Sequence, residues 1–267
     1  MRCYAAFVRQ QLRALTLYRF EFFVKILYGL LAMYGARCLW TALYRQNPAL
    51  LERTLPEMIT YAMLAMALDM VFYPSGDNSV QSYMNEQVRR GSIDTDLLRP
   101  MDFQLQMLFR NSSYILCMLL VLVLPACAAG VLMMGMRLPA SPLHAAAFAV
   151  SLALAYLVLF SLNFLLGLLS MLVMNIKQIA WAYRGLVSLL SGALIPLWLF
   201  PAGLRAALGA LPFRCIYDVP LNVYTGALNG GALAGQLALQ LAWAAALFAL
   251  GRAAWHAVHR RMTVQGG

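Results

Sequence analysis

The chain has 267 residues, 63% of them hydrophobic and only 11% charged, with a formal net charge of +10. Soluble domains carry roughly 25% charged residues, so this composition excludes a soluble fold and reads as an integral membrane protein. The basic excess is then first an orientation signal; no soluble basic module accompanies it that would read nucleic acid.

In chain order, residues 1–20 carry Arg2, Arg9, Arg13 and Arg19 among Tyr4, Phe7, Val8, Leu12, Leu15 and Tyr18. Apolar positions three and four apart predict a basic amphipathic helix in the headgroup layer, the plainer alternative being a positive tail. The first long apolar run starts near Phe22 and continues past Cys38, too late and too long for the core of a cleavable signal, so it is expected to remain as an anchor. Spans are predicted over residues 22–44 and 58–73, with a short polar loop between them. The first is long enough at ~1.5 Å per residue to cross a hydrocarbon core of ~30 Å.

Residues 75–111 form the longest charged interruption, SGDNSVQSYMNEQVRRGSIDTDLLRPMDFQLQMLFRN. Asp77 or Asn78 can cap a short helix, Val80, Met84 and Val88 fall at i, i+4, i+8, and Gly91 can end it. Glu86, Arg89 and Arg90 lie on its polar side. Further spans are expected over 113–136, broken by Pro125, then 145–174, long enough to tilt, then 185–200. Residues 175–184 read as a polar link. Residues 201–231, rich in glycine and proline with Arg205, Arg214 and Asp218, predict short helices at or just dipping into the interface. A last span covers 232–255.

Six spans put both ends on one side. Arg2, Arg9, Arg13, Arg19, Lys25, Arg89, Arg90, Arg99, Arg110, Lys177, Arg184, Arg252, Arg260 and Arg261 fall on that side, against Arg45, Arg53, Arg137, Arg205 and Arg214 on the other. The positive-inside rule makes the first set cytoplasmic.

Ionisable residues inside spans are costly and mark candidate functional positions. Arg37 is expected to snorkel outward, towards Glu57, and Asp69 either meets Lys25 or sees water along a translocation path. The 16 methionines, Met58, Met63, Met66 and Met70 among them, read chiefly as packing or lipid-facing residues. Cys3, Cys38, Cys117, Cys127 and Cys215 are scattered, and His144, His256 and His259 sit at span edges, so neither disulfide nor metal spacing is present. Phosphate-binding loop, Rossmann fingerprint and hydrolytic triad are all missing from the sequence, and ATP hydrolysis by this chain alone is not expected.

RRGSIDTDLLRP after the second span, and SGALIPLWLFPAGLRAALGALPF with DVPLNVYTG after the fifth, resemble the permease subunits of bacterial type-2 ABC exporters. The narrower likeness is to the subfamily encoded with a second permease and a separate ATPase. The resemblance implies an all-α, six-helix exporter fold forming a single transmembrane domain over 1–267. It implies an interfacial helix over 1–20, a cytoplasmic coupling helix over 78–90, and re-entrant or external helices before the last span. The implied partners are a pair of ABC ATPase subunits, which bind ATP and magnesium, and a second permease, identical or related; the chain itself would bind no cofactor. Val80 and Met84 would fill a groove on the ATPase, with Glu86, Arg89 and Arg90 making polar contacts. ATP-driven closure would tilt the second and fifth spans, so Tyr61, Met66, Asp69, Phe72, Leu190 and Leu194 become candidates for a substrate path. The cargo would be a hydrophobic or amphipathic drug, lipid or peptide exported across the bacterial cytoplasmic membrane. A gradient-driven transporter or channel working through Asp69 is the rival reading.

Overall fold

The computed structural model describes residues 19–46, 53–73, 79–93, 96, 98, 101–171 and 177–260, and every regular element among them is helical. The expected interfacial helix lies outside the described residues, save Arg19 and Phe20, which already belong to the first helix.

Helix α1 (Arg19–Gln46) runs from the basic end of the bundle to the opposite end, and α2 (Leu55–Phe72) returns. Glu57 and Thr54 form a reciprocal capping box at the start of α2, with Pro56 in its first turn, where a missing N–H costs nothing. Nearly the whole of α2 is enclosed, from Met58 to Phe72, which makes it the axis of the core. The basic-end helix α3 (Val80–Arg89) is capped by Ser79, whose hydroxyl accepts from the Ser82 N–H at 3.3 Å. The expected caps Asp77 and Asn78 lie outside the described residues. Gly91, at φ +65°, closes α3 as its spacing predicts.

The third span is longer than expected and continues past Pro125 without a break. Helix α4 (Phe103–Met118) passes through one π-helical turn (Leu119–Val123) into α5 (Leu124–Met133). Pro125 has no N–H to donate and crowds the carbonyl four residues back, and the wider π turn just before it relieves that conflict. Helix α6 (Pro142–Leu169) returns to the basic end, and α10 (Gly230–His259) packs along it. Among the described residues, five stretches are long and apolar enough to span a bilayer: Phe23–Gln46, Leu55–Phe72, Phe103–Met133, Pro142–Leu169 and Gly230–His259.

The fifth predicted span is corrected. The helix there, α7, covers Lys177–Leu190 instead of 185–200, so most of the expected polar link is its first half. Its 14 residues reach only ~21 Å at ~1.5 Å each. Beyond Leu190 the chain leaves the helix at Ser191, turns through Gly192 at φ +83°, and completes the traverse through a 3-10 turn (Leu197–Leu199) beside Arg53. Irregular backbone at such depth survives only if protein satisfies it. Here Tyr61 Oη donates to the Gly192 carbonyl at 2.9 Å and the Asp218 N–H to the Ser191 carbonyl at 3.0 Å.

Residues 201–231 also differ from a surface stretch. Helix α8 (Ala202–Ala210) is mostly exposed, but a 3-10 turn (Pro212–Cys215) and α9 (Asp218–Tyr224) plunge into the bundle, and Cys215, Ile216 and Tyr217 are fully buried. Gln240, in the middle of α10, fixes this re-entrant tip. Its amide donates to the Cys215 carbonyl at 2.8 Å and to the Ser151 carbonyl at 3.2 Å, while its oxygen accepts from the Ser151 hydroxyl at 2.8 Å. One side chain thereby joins α6, α10 and the re-entrant turn some 15 Å below the start of α10, counted at ~1.5 Å per residue.

Candidate functional site

The basic-end helix α3 has two faces of different chemistry. Val80 and Met84 point inward and pack with Phe103, Met107, Phe160, Phe164, Leu168 and Trp255. Met84 is fully buried against Gly167 of α6, where a Cβ would come within 2.5 Å of its sulfur. The expectation that Val80 and Met84 fill a groove on a partner is therefore corrected: their apolar stripe is consumed by the chain's own α6, because burial there removes both side chains from solvent at once. Gln81 and Asn85 share the buried face.

The polar face of α3 is available. Arg89 and Arg90 are exposed and Glu86 half-exposed, with Arg90 Nε and Glu86 Oε1 paired at 2.7 Å one turn apart. Glu86, Arg89 and Arg90 stand on the outward side of α3, while its apolar side faces the chain's own α6.

Helix α3 is tied to the spans through a residue that sequence reasoning missed. Asp96, in the DTD of the quoted motif, is almost fully buried and accepts from Tyr83 Oη of α3 at 2.5 Å and from Gln106 Nε2 of α4 at 3.2 Å. Arg110 of α4 covers the other side of Tyr83, its guanidinium carbon 3.2 Å from the ring centroid. Next in line, Asp102 caps α4 by accepting from the Leu105 N–H at 3.0 Å and pairs with Arg252 of α10 at 2.9 Å. Gln104 donates to the Phe248 carbonyl at 3.0 Å, and Phe103 stacks on Trp255 at 4.4 Å. The charged segment is thus a set of anchors joining α3 to α4, α6 and α10. A carboxylate four residues before Pro100, set between two helices, was the visible trace of Asp96.

The path candidates separate in the same way. Asp69 accepts from Arg184 of α7 at 3.0 Å and from Tyr217 Oη of the re-entrant turn at 3.2 Å. It therefore joins the second span, α7 and the re-entrant tip, and its partner across the bundle is Arg184, where Lys25 was expected. Tyr61 and Phe72 are buried within the chain, Tyr61 edge-on to Trp198 at 4.8 Å and Phe72 edge-on to Tyr217 at 5.5 Å. Tyr61 is enclosed, whereas Phe72 borders a cavity of about 120 Å³ shared with Tyr73, Tyr156 and Arg184. Met66 and Leu190 are half-buried, and Leu194, in the turn after α7, is exposed. Exposed apolar surface continues from Leu194 onto α7 through Leu189, Leu186 and Trp181. At the opposite end Glu57 pairs with Arg137 at 3.9 Å, the place foreseen for Arg37.

A family model described as ABC-2 family transporter protein matches residues 30–266. The chain belongs to that family. No curated protein and no solved structure matches it. It is accordingly an ABC-2 type permease and a multi-pass membrane protein.

Proposed function

We propose that this ABC-2 permease is the membrane subunit of an ATP-powered exporter in the bacterial cytoplasmic membrane, with α3 as the element that receives the stroke of a separate ATPase. Both termini and α3 lie on the cytoplasmic side by the basic bias of that end. ATP and magnesium are bound by the ATPase pair, and the path forms between this chain and a second permease, identical or related.

The observation that carries the reading is the division of α3: an apolar face lodged in α6 and a charged face of Glu86, Arg89 and Arg90 turned away from the bundle. A helix built this way moves with the membrane domain when something pushes on its charged side. Met84 against Gly167 transmits the push to α6, and Tyr83–Asp96–Gln106 transmits it to α4. These contacts lead first to α4, α6 and α10, so the second span and α7 follow as a pair clasped by Asp69 and Arg184. The apolar, aromatic-bearing surface of α7 and its following turn suits a hydrophobic or amphipathic cargo such as a drug, a lipid or a peptide.

The gradient-driven alternative needs an intramembrane carboxylate open to a coupling ion. Asp69 is engaged by a guanidinium and a phenol, which argues for a structural clasp.

The test is charge reversal. Arg89→Glu with Arg90→Glu should abolish co-purification of the ATPase while leaving the size-exclusion profile of the solubilised permease unchanged. Retention of the ATPase by the doubly reversed chain would overturn the assignment of α3.

A further inference from the structure

The cavity that Phe72 borders lies at the basic end of the bundle, walled by the close of α2, the first turn of α3, and α4, α6 and α7. Its volume of about 120 Å³ is about four times the ~30 Å³ share of one water molecule, room for a polar group of a few heavy atoms. Three of its lining side chains are more than nine-tenths buried and unanswered. The hydroxyl of Tyr73 and the amide oxygens of Gln81 and Asn163 have no hydrogen-bond partner among the described residues. Native proteins rarely leave such groups bare, because each has given up its water without a replacement.

Other polar groups on the wall are already engaged. The Ser79 hydroxyl accepts from the Ser82 N–H at 3.3 Å, and the Tyr156 hydroxyl donates to Asn111 Oδ1 at 3.0 Å. Arg184 pairs with Asp69 at 3.0 Å, and its guanidinium lies 4.9 Å from the centroid of the Tyr73 ring. The three open groups are uncharged, and their demands are mixed. Amide oxygens only accept, so an occupant must donate to them, whereas a phenol both donates and accepts. A hydroxyl or a primary amide meets both demands. An ionised carboxylate has no proton to give the amide oxygens. An ammonium leaves the phenol proton without an acceptor and stands near the Arg184 guanidinium, where like charges repel.

The α7 wall is where the cavity is least closed: Ala180 is half-buried and Arg184 exposed, against the near-complete burial of Tyr73, Gln81 and Asn163. On the same helix Trp181 is 82% exposed, followed by exposed Leu186 and Leu189. A polar niche therefore stands beside an apolar strip, an arrangement that orients a ligand through a few polar contacts while apolar surface supplies the area. We propose that this cavity binds the uncharged, hydroxyl- or amide-bearing head of an amphiphile whose apolar chain lies on α7, the source being either a cargo molecule or a resident membrane lipid. Its identity as cargo rests on the exporter reading; the binding itself does not.

The experiment places the full-length permease in phosphatidylcholine nanodiscs with a monooleoylglycerol that carries a diazirine in its acyl chain. Photolabelling should saturate, map by mass spectrometry to residues 181–189, and be competed by plain monooleoylglycerol. Oleyl sulfate and oleylamine, with the same chain and charged heads, should compete about tenfold less well or worse. Tyr73→Phe, which keeps the ring against Arg184, and Gln81→Leu should each weaken binding about tenfold, the loss of one hydrogen bond in an enclosed site. Because Gln81→Leu removes a buried group that has no partner, the variant should also keep its monodisperse size-exclusion peak to at least the wild-type temperature. Adding the ATPase with ATP and magnesium names the source: labelling lost on turnover identifies a cargo, and labelling retained identifies a resident lipid. If no ATPase joins the permease, the exporter reading falls while the binding result stands. The site itself is overturned by labelling that rises without saturation, by equal affinity of wild type and Tyr73→Phe, or by a charged competitor that matches monooleoylglycerol. A Gln81→Leu protein less stable than wild type overturns it as well, since the amide would then have a partner already.

Discussion

Replacing Asp96 by alanine removes the acceptor of two hydrogen bonds at once, from Tyr83 Oη at 2.5 Å and from Gln106 Nε2 at 3.2 Å. Hydrogen bonds to a charged group contribute about 1.5–3 kcal/mol each, and the longer one belongs at the low end, so docking of α3 should lose roughly 2–4 kcal/mol after local relaxation. At ~1.4 kcal/mol per factor of ten, the open population of α3 rises roughly 30- to 700-fold. Hydrogen exchange with mass spectrometry on the solubilised full-length permease reads this directly, as faster exchange in peptides covering residues 80–89 with α6 unchanged. Tyr83→Phe removes only one of the bonds and should give a smaller acceleration, on the order of tenfold. Added to Asp96→Ala it should have little further effect, because the bond it deletes is already gone. Exchange of residues 80–89 within a factor of about three of wild type in Asp96→Ala would refute the view that Asp96 pins α3 to the spans.

Two further outcomes probe the re-entrant hairpin. Gly192→Ala forces a Cβ into the left-handed region at φ +83° and to 2.9 Å from the Tyr61 hydroxyl. A loss of about 1–3 kcal/mol should appear as a lower temperature for loss of the monodisperse size-exclusion peak. Gln240→Leu keeps the volume but deletes the bonds to Ser151 and to the Cys215 carbonyl. Cys215, fully buried in the wild type, should then react severalfold faster with a membrane-permeant maleimide, while buried Cys117 on α4 keeps its slow rate.

Much of this architecture is written in local pattern. The apolar runs, the basic bias, the helix that starts just before Val80 and ends at Gly91, and the disturbance at Pro125 all follow from spacing, capping and the chemistry of single residues. The elements that escaped depend on partners far along the chain. Composition puts residues 201–231 at the interface because Asp218, Asn222 and several glycines cannot enter lipid alone. They enter protein because Arg53, Gln240 and Arg214 satisfy them, and the first of these is some 170 residues away in sequence. Similarly, Lys177 and Arg184 lower the hydropathy of α7 enough to read as a link, yet Arg184 is paid for by Asp69 across the bundle. The stripe of Val80 and Met84 was legible as apolar, but a stripe carries no address, and only the packing at Gly167 reveals that it faces inward.

The central claim is that the charged face of α3 is where the ATPase bears on the permease. A benzophenone side chain at position 90, on the exposed end of α3, tests it in the native membrane against the same group at position 204, on exposed α8 at the opposite end. Irradiation should join the permease to an ABC ATPase from position 90 and never from position 204, as identified by mass spectrometry of the adduct. Adducts to the ATPase from position 204, or none from position 90 in cells that contain the assembled transporter, would contradict the account.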